Sequence, residues 1–220
     1  MLFAISCNIN RFHNSPGDFL YSNYIHYFEE RGIEVLPVSN AYRDAESYFN
    51  RFKVEGLILS GGNDLESEPD RDAQEKRLLN TAIKLRLPVF GICRGMQFIN
   101  HYFGGSLPVD IVTVDKETGD HVATNHEIKI IDSNWKGLIG MDRINTNSFH
   151  RQGLTMYQIS KELEVLAISE GDGIVEALCH KEYPVVGIQW HPERKSPDSR
   201  VNDLIFESLK YKTCHWSTTR

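Results

Sequence analysis

Continuous apolar runs and amphipathic segments alternate along the first half of the chain. Four runs are apolar at successive positions, which is typical of strands buried on both faces of a parallel sheet; they lie at 2–7, 33–38, 56–60 and 89–92. Three segments between them have the apolar spacing of helices, and they lie at 18–31, 44–52 and 72–87. The alternation predicts a three-layer α/β fold with a mostly parallel central sheet.

The second half of the chain has a different pattern. From 106 to 149 the apolar runs are shorter and are interrupted by polar residues. Short connections join three later runs and predict an additional antiparallel set of strands; the runs lie at 165–169, 174–179 and 185–190. A last amphipathic segment predicts a helix at 199–212. Because no repeat or low-complexity stretch divides the chain, residues 1–220 are predicted to form one domain.

A cysteine lies where the fourth apolar run changes to a helical pattern. Cys93 has glycines two residues away on each side, Gly91 and Gly95, as a tight strand-to-helix turn requires. A helix N-terminus favours the nucleophilic thiolate, and the N–H of Arg94 points where an oxyanion would form. The pattern predicts a catalytic nucleophile, while a buried structural cysteine remains the alternative.

A histidine and a glutamate follow the last apolar run. This run, 185–190, leads directly into His191, Pro192 and Glu193. A histidine at a strand end can present one ring nitrogen to a thiol while a carboxylate orients the other nitrogen. Together with Cys93, the spacing predicts a Cys93–His191–Glu193 triad.

The motif G-x-C-x-G-x-Q with a distant H-P-E resembles the class I glutamine amidotransferase-like superfamily. The segment 91–97 is most similar to the γ-glutamyl hydrolase branch, peptidase family C26, in which arginine commonly follows the cysteine. The resemblance implies a flavodoxin-like αβα fold and hydrolysis of a γ-glutamyl amide without a cofactor. It also implies that Gly62 gives the second oxyanion N–H, with Gly61 as the alternative, while Arg94 gives the first.

The resemblance also identifies residues that would bind substrate. Residues 147–152 match an N-S-x-H-x-Q segment, which implies that Asn147, Ser148 and His150 pack near the γ-glutamyl group. Gln97 would hold the α-amino or carboxylate end of that group. His150 competes with His191 for the role of base, but only His191 has a carboxylate two residues later.

Basic residues gather in loops expected at the carboxyl edge of the sheet. The polar segment 8–17 is predicted to be a loop and contains Arg11, and Arg43 follows the second strand. With Arg94 and Arg151 they predict an anionic leaving group held by charge-assisted contacts. Pairing of these arginines with carboxylates on a solvated rim is the alternative.

Composition and charge limit the classes of partner that this chain is expected to bind. A formal net charge of −6 argues against nucleic acid. No apolar segment is long enough for a signal sequence or a membrane span, and the cysteines lack the spacing of a disulfide framework, so a cytoplasmic protein is expected. His121, His126 and Glu127 have no third strong ligand at a suitable spacing, so no metal is expected. The pattern indicates no particular oligomeric state.

The predicted function is hydrolysis of a γ-glutamyl amide that releases glutamate. The favoured leaving group is a nucleoside diphosphate amidate, such as the CDP-amidate of capsular phosphoramidate synthesis, and γ-glutamyl-γ-aminobutyrate is the alternative substrate. A glutaminase subunit that delivers ammonia to a synthase is a second alternative. A binding module that keeps the fold without activity is a third.

Overall fold

The computed structural model describes residues 1–13, 15–111 and 121–211. The strands are β1 (Leu2–Ser6), β2 (Asn8–Phe12), β3 (Ser15–Phe19), β4 (Glu34–Val38), β5 (Gly56–Leu59), β6 (Val89–Ile92), β7 (Val109–Asp110), β8 (Val122–Ile130), β9 (Arg143–Phe149), β10 (Gln152–Gly153), β11 (Leu163–Ser169), β12 (Val175–His180) and β13 (Val185–Ile188). The helices are α1 (Ser22–Glu29), α2 (Ala45–Phe52), α3 (Pro69–Lys84), α4 (Arg94–Tyr102), α5 (Ser133–Ile139), α6 (Arg200–Tyr211) and a 3₁₀ turn, Met156–Gln158.

One nine-stranded sheet forms the centre of the molecule, in the order β4-β1-β5-β6-β13-β12-β11-β8-β9. The first five strands in that order are parallel, and β12, β11, β8 and β9 continue the sheet with antiparallel pairings. The predicted α/β class, the mostly parallel sheet and the antiparallel strand set are therefore confirmed.

Successive residues of the central strands pack on opposite faces of the sheet, which explains their continuous apolar runs. Phe90 and Ile92 join a core with residues of α1, α5 and α6, whereas Leu57 and Val89 join a second core with residues of α2, α3 and α4. Helices therefore cover both faces. None of the helices in the described ranges has the length and apolar character needed to cross a membrane.

Some element boundaries differ from the prediction. Residues 8–17 form most of a β2–β3 hairpin instead of a loop. Helix α1 consequently begins at Ser22, not at residue 18, because Asp18 pairs in β3 and accepts hydrogen bonds from Asn40. Helix α3 begins at Pro69, where the fixed φ of proline suits a first helical position.

The region predicted to contain only strands also contains helix α5. Asp132 caps this helix by accepting from the N–H of Trp135, whose buried side chain joins the core. Residue 212, the predicted end of the last helix, lies outside the described residues.

Candidate active site

Three parallel strands end side by side at one edge of the sheet. Strand β6 lies between β5 and β13, with Leu59 opposite Gly91 and Ile92 opposite Ile188. The residues after these strands therefore meet at a cavity of about 310 Å³. The residues that line this cavity are Tyr21, Tyr24, Gly61, Gly62, Asp64, Cys93, Arg94, Gln97, Val122, Phe149, His150, Arg151, Gln152, His191 and Arg194.

Cys93 occupies a strained corner between β6 and α4. Its φ of 53° and ψ of −108° are unusual for a residue with a side chain. Its N–H donates to the carbonyl of Ile188 at 2.7 Å, which fixes the corner against β13. A Cβ on Gly95 would lie 2.2 Å from the carbonyl oxygen of Leu59, so the close approach of α4 to β5 requires glycine there. The predicted strand-to-helix corner is confirmed.

His191 lies between Cys93 and Glu193. Its Nδ1 is 2.6 Å from Oε1 of Glu193, and its ring lies beside the Cys93 side chain. Burial alone would lower the pKa of His191, but the charges of Glu193 and Cys93 outweigh burial and raise it to about 10. The arrangement favours the imidazolium form of His191 beside the Glu193 carboxylate.

Asn147 holds the backbone of the histidine loop. Its Oδ1 accepts from the N–H of His191 at 2.9 Å, and its Nδ2 donates to the carbonyl of His191 at 2.7 Å and to that of Lys195 at 3.2 Å. The side chain is buried and does not line the cavity. The expected contact of Asn147 with substrate is therefore replaced by a positioning contact with His191.

The two glycines after β5 have different surroundings. The N–H of Gly61 donates to Tyr24 Oη at 3.1 Å. The N–H of Gly62 meets no acceptor in the described part of the chain, and neither does that of Arg94 at the start of α4. Gly62 has a φ of +120°, and a Cβ there would lie 1.4 Å from Oδ1 of Asn8. Of the two glycines, Gly61 therefore has an N–H that is already occupied, whereas that of Gly62 has no acceptor among the described residues.

An ionic network of buried Arg71, Glu75 and Arg94 with the partly exposed Asp72 supports this loop and the Cys93 helix. The guanidinium of Arg94 contacts the carboxylates of Asp72 and Glu75, so it is not directed at a substrate. Arg71 donates to Glu75 at 3.1 Å and to the carbonyls of Ser60 and Gly61 at 2.8 and 3.1 Å. Burial would raise the pKa of Glu75, but Arg94 and Arg71 outweigh it and lower that pKa.

The predicted group of basic residues is not assembled at Cys93. Arg11 lies on the exposed hairpin, where it forms a 2.7 Å ion pair with Glu68. Arg43 lines a separate cavity together with Asp18 and Asp70. The hairpin carries Arg11, Arg43 follows β4, and neither arginine lines the Cys93 cavity.

Arg151 and Arg194 line the cavity together with Arg94. The Arg194 guanidinium lies 4.4 Å from the centre of the Phe149 ring. The sequence argument included Arg151 but missed Arg194, which directly follows Glu193.

Two glutamines connect Cys93 with the opposite wall. Gln189 donates to the Cys93 sulfur at 3.5 Å, and Gln97 donates to Gln189 Oε1 at 3.3 Å and to the carbonyl of Gln152 at 3.0 Å. The prediction that Gln97 faces the cavity agrees with its place in the lining. The sequence argument missed Gln189, although its position two residues before His191 was a usable signal, because alternate residues of a strand share a face.

Of the two other residues expected at the substrate, His150 lines the cavity and Ser148 does not. Ser148 is fully buried and donates to the carbonyl of His121 at 2.8 Å, so it does not reach the cavity as expected. His150 does line the cavity, and its Nδ1 lies 3.1 Å from the carbonyl of Gln152. His150 lacks the contact with Glu193 that His191 makes.

Comparison with known proteins identifies similar chains. The γ-glutamyl-γ-aminobutyrate hydrolase PuuD of Escherichia coli is 31% identical over 184 residues, which cover 71% of each chain. The γ-glutamyl-CDP-amidate hydrolase of Campylobacter jejuni is 28% identical over 174 residues, which cover 76% of each chain.

The fold is also found among solved structures. The glutaminase domain of CTPS from Trypanosoma brucei, solved with bound acivicin, matches with a TM-score of 0.71 at 15% identity and covers 99% of this chain and 97% of that chain. At this identity the match supports the class I glutamine amidotransferase fold alone. The model of the family Peptidase C26 matches residues 3–193, which include Cys93, His191 and Glu193. The chain therefore belongs to the peptidase C26 family.

Proposed function

We propose that this protein hydrolyses a γ-glutamyl amide with Cys93 as nucleophile, His191 as acid and base, and Glu193 as its orienting carboxylate. The observation that carries the proposal is the buried His191 ring, which contacts both Cys93 and Glu193 at the end of adjacent parallel strands. Family membership supports the same chemistry, because γ-glutamyl hydrolases are among the similar proteins.

The proposed reaction has two steps. The Cys93 thiolate attacks the γ-carbonyl carbon, and the N–H groups of Gly62 and Arg94 stabilise the oxyanion. As the tetrahedral intermediate collapses, His191 gives its proton to the departing nitrogen, which leaves a glutamyl thioester. His191 then takes a proton from water, the hydroxide attacks the thioester, and glutamate is released as the thiolate reforms.

The glutamyl group would occupy the inner part of the cavity. Gln97 lies on the first turn after Cys93 and lines the cavity, so its amide is placed to hold the α-amino or α-carboxylate group. Tyr24 contributes in another way, because its hydroxyl accepts from the Gly61 N–H and lies near enough to Glu193 for the negative charge of Glu193 to help raise the pKa of Tyr24, which burial raises most. We propose that Tyr24 fixes the position of the glycine loop relative to the orienting carboxylate of Glu193.

The leaving group would lie beside Arg151 and Arg194 and would be anionic. A carboxylate or phosphate there would gain charge-assisted hydrogen bonds from the guanidinium groups. The similar proteins named for γ-glutamyl-γ-aminobutyrate and for γ-glutamyl-CDP-amidate both act on substrates with such leaving groups. The preference for a diphosphate leaving group rested partly on Arg11 and Arg43. Because neither residue lines the Cys93 cavity, a diphosphate and a carboxylate are equally favoured as the leaving group's anion.

A substrate panel tests the proposal. The purified protein is incubated with γ-glutamyl amides whose leaving groups carry a diphosphate, a carboxylate or no charge, and released glutamate is measured. We expect glutamate from the anionic amides without any added subunit, and none from the Cys93→Ser variant. Turnover of glutamine alone, and only with a synthase subunit present, would favour ammonia delivery. No turnover of any amide would favour a binding module.

A further inference from the structure

A second polar cluster lies beside the cavity, on the antiparallel side of the sheet. His121 directly precedes β8, His150 follows β9, and Glu176 lies on β12. All three side chains are buried, and one ligand atom of each lies within 4.8 Å of the others. The spacing argument missed this group because Glu176 comes from another strand. Glu127, its suggested member, instead lies 3.3 Å from Arg143 at the surface.

Each of the two histidines has an outer and an inner ring nitrogen. The outer nitrogens meet acceptors: Nε2 of His121 lies 2.8 Å from the Asp172 carboxylate, and Nδ1 of His150 lies 3.1 Å from the carbonyl of Gln152. The inner nitrogens, Nδ1 of His121 and Nε2 of His150, lie 3.3 Å apart. The Ser148 hydroxyl donates to the carbonyl of His121 at 2.8 Å and lies 3.3 Å from Nδ1 of the same residue.

Glu176 adds negative charge to the same space. Its carboxylate is fully buried, and neither oxygen accepts a hydrogen bond from the residues described. Oε1 lies 3.6 Å from Nε2 of His150 and 3.5 Å from Nε2 of His126. A buried carboxylate whose oxygens accept no hydrogen bond from the described residues is a suitable ligand for a cation.

We propose that His121, His150 and Glu176 form a binding site for a divalent transition metal, with Zn²⁺ as the best fit. Two ligands about 2.1 Å from a tetrahedral zinc lie about 3.4 Å apart, close to the separations of 3.3 and 3.6 Å found here. Imidazole and carboxylate ligands suit this ion. Asp172 supplies the outer carboxylate that ligating histidines commonly have, and His126 is the nearest further donor.

The metal would connect strand β12 with strands β8 and β9, which lie further toward the edge of the sheet. Glu176 lies on β12, whereas His121 and His150 flank β8 and β9 at the far edge of the sheet. A bound ion would fix His150, and with it the cavity wall at Gln152, against the centre of the sheet. We therefore expect the metal to stabilise the fold beside the cavity.

Metal titration of the full chain in a Cys93→Ser background tests the proposal, because the thiolate and His191 are themselves a metal-binding pair. After treatment with a chelator, the protein is titrated with Zn²⁺ in a calorimeter and with Co²⁺ in a spectrometer. We expect one ion per chain, a melting temperature raised by Zn²⁺, and a Co²⁺ spectrum of a nitrogen and oxygen site without a thiolate band.

Variants in the same background locate the site. Glu176→Gln and His121→Ala should weaken Zn²⁺ binding by at least about a hundredfold, and Asp172→Asn by about 10- to 100-fold. His26→Ala, which changes an exposed histidine on α1, is the matched control and should bind normally. Circular dichroism checks that each variant is folded, and X-ray absorption of the Zn²⁺-loaded Cys93→Ser protein gives the ligand types without any variant at the site.

Two results would overturn the proposal. The first is a lack of saturable Zn²⁺ binding in Cys93→Ser, which would mean that protonated histidines balance Glu176. The second is unchanged binding in both Glu176→Gln and His121→Ala, which would place the ion elsewhere.

Discussion

The two sides of the cavity are built from different kinds of structure. On the parallel side, Gly62, Cys93 and His191 each follow a strand within a few residues, so the sheet itself sets their positions. On the antiparallel side, Phe149 ends β9 and Arg151 lies in the connection between β9 and β10. In the proposed reaction, the positions of the reacting groups would therefore depend on backbone geometry, whereas recognition of the leaving group would depend on side chains. Changes on the parallel side should therefore affect kcat, and changes on the antiparallel side should affect KM.

The buried charges below the two sides also differ. Under the parallel side, Glu75 is paired with Arg71 and Arg94 and also accepts from Ser6. Under the antiparallel side, the oxygens of Glu176 accept no hydrogen bond from the described residues. The carboxylate of the first cluster is paired with two arginines, whereas that of the second is a ligand in the proposed metal site.

The largest expected effect is loss of the nucleophile. Cys93→Ala should lower kcat at least about a thousandfold with any γ-glutamyl amide, because no thioester can form. Cys7→Ala is the matched control. Burial raises the pKa of Cys7 to about 11, so iodoacetamide at neutral pH should label Cys93 selectively and inactivate the enzyme. Full activity of Cys93→Ala in the glutamate-release assay would end the proposed mechanism.

Glu75→Gln should be the most destabilising change under the parallel side. It leaves the buried Arg71 and Arg94 without a carboxylate between them, and breaking such a buried network costs about 3–5 kcal/mol. Glu68→Gln removes the partner of Arg11 on the exposed hairpin and should cost below about 1 kcal/mol. The free energy of unfolding in urea measures both. Similar values would show that the buried network contributes no more than a surface pair.

The pH dependence of the rate tests the His191 contacts. The pKa of His191 is raised to about 10, so the imidazolium that protonates the leaving nitrogen persists below that pH and is lost above it. We expect kcat to fall about tenfold per pH unit above that value. Glu193→Gln removes a negative charge that stabilises the imidazolium of His191. It should therefore lower the pH above which kcat begins to fall, which is the break in the pH profile. It should also lower kcat less than His191→Ala, which should cost about a hundredfold or more. An unchanged break in Glu193→Gln would contradict this account.

Arg151→Ala should have a smaller effect, and mainly on KM. With an anionic amide we expect KM to rise about tenfold while kcat changes little, because the lost contact is made before and during the reaction alike. Added salt should likewise raise the KM of the wild-type enzyme for the anionic amide. Arg11→Ala and Arg43→Ala are the controls and should leave KM within about twofold, since both residues lie outside the Cys93 cavity. A larger rise in KM for Arg11→Ala than for Arg151→Ala would contradict the proposal that Arg151 binds the leaving group.

The parallel side could be predicted from the sequence because its signals are local. Gly91, Cys93 and Gly95 lie within five positions, and a strand followed by H-P-E predicts where His191 and Glu193 lie. The antiparallel side could not be predicted in this way. Asn147 and Ser148 were expected at the substrate, but their partners are the backbones of His191 and His121. Such partners come from distant strands, and no spacing rule gives them.

Charge gave a similarly mixed result. The sequence argument groups the basic residues at the site in a chain of net charge −6, yet three of them lie beside carboxylates from other segments. Arg94 contacts Asp72 and Glu75, Arg11 contacts Glu68, and Arg43 shares a cavity with Asp18 and Asp70; these pairings depend on tertiary structure alone.

Trapping the covalent intermediate tests the central claim most directly. The enzyme is mixed with an anionic γ-glutamyl amide, quenched in acid within the first turnovers, digested and analysed by mass spectrometry. The account predicts a glutamyl thioester on the peptide that contains Cys93, and no adduct when Cys93→Ser is treated identically. Rapid glutamate release with Cys93 unmodified, together with normal turnover by Cys93→Ser, would contradict it.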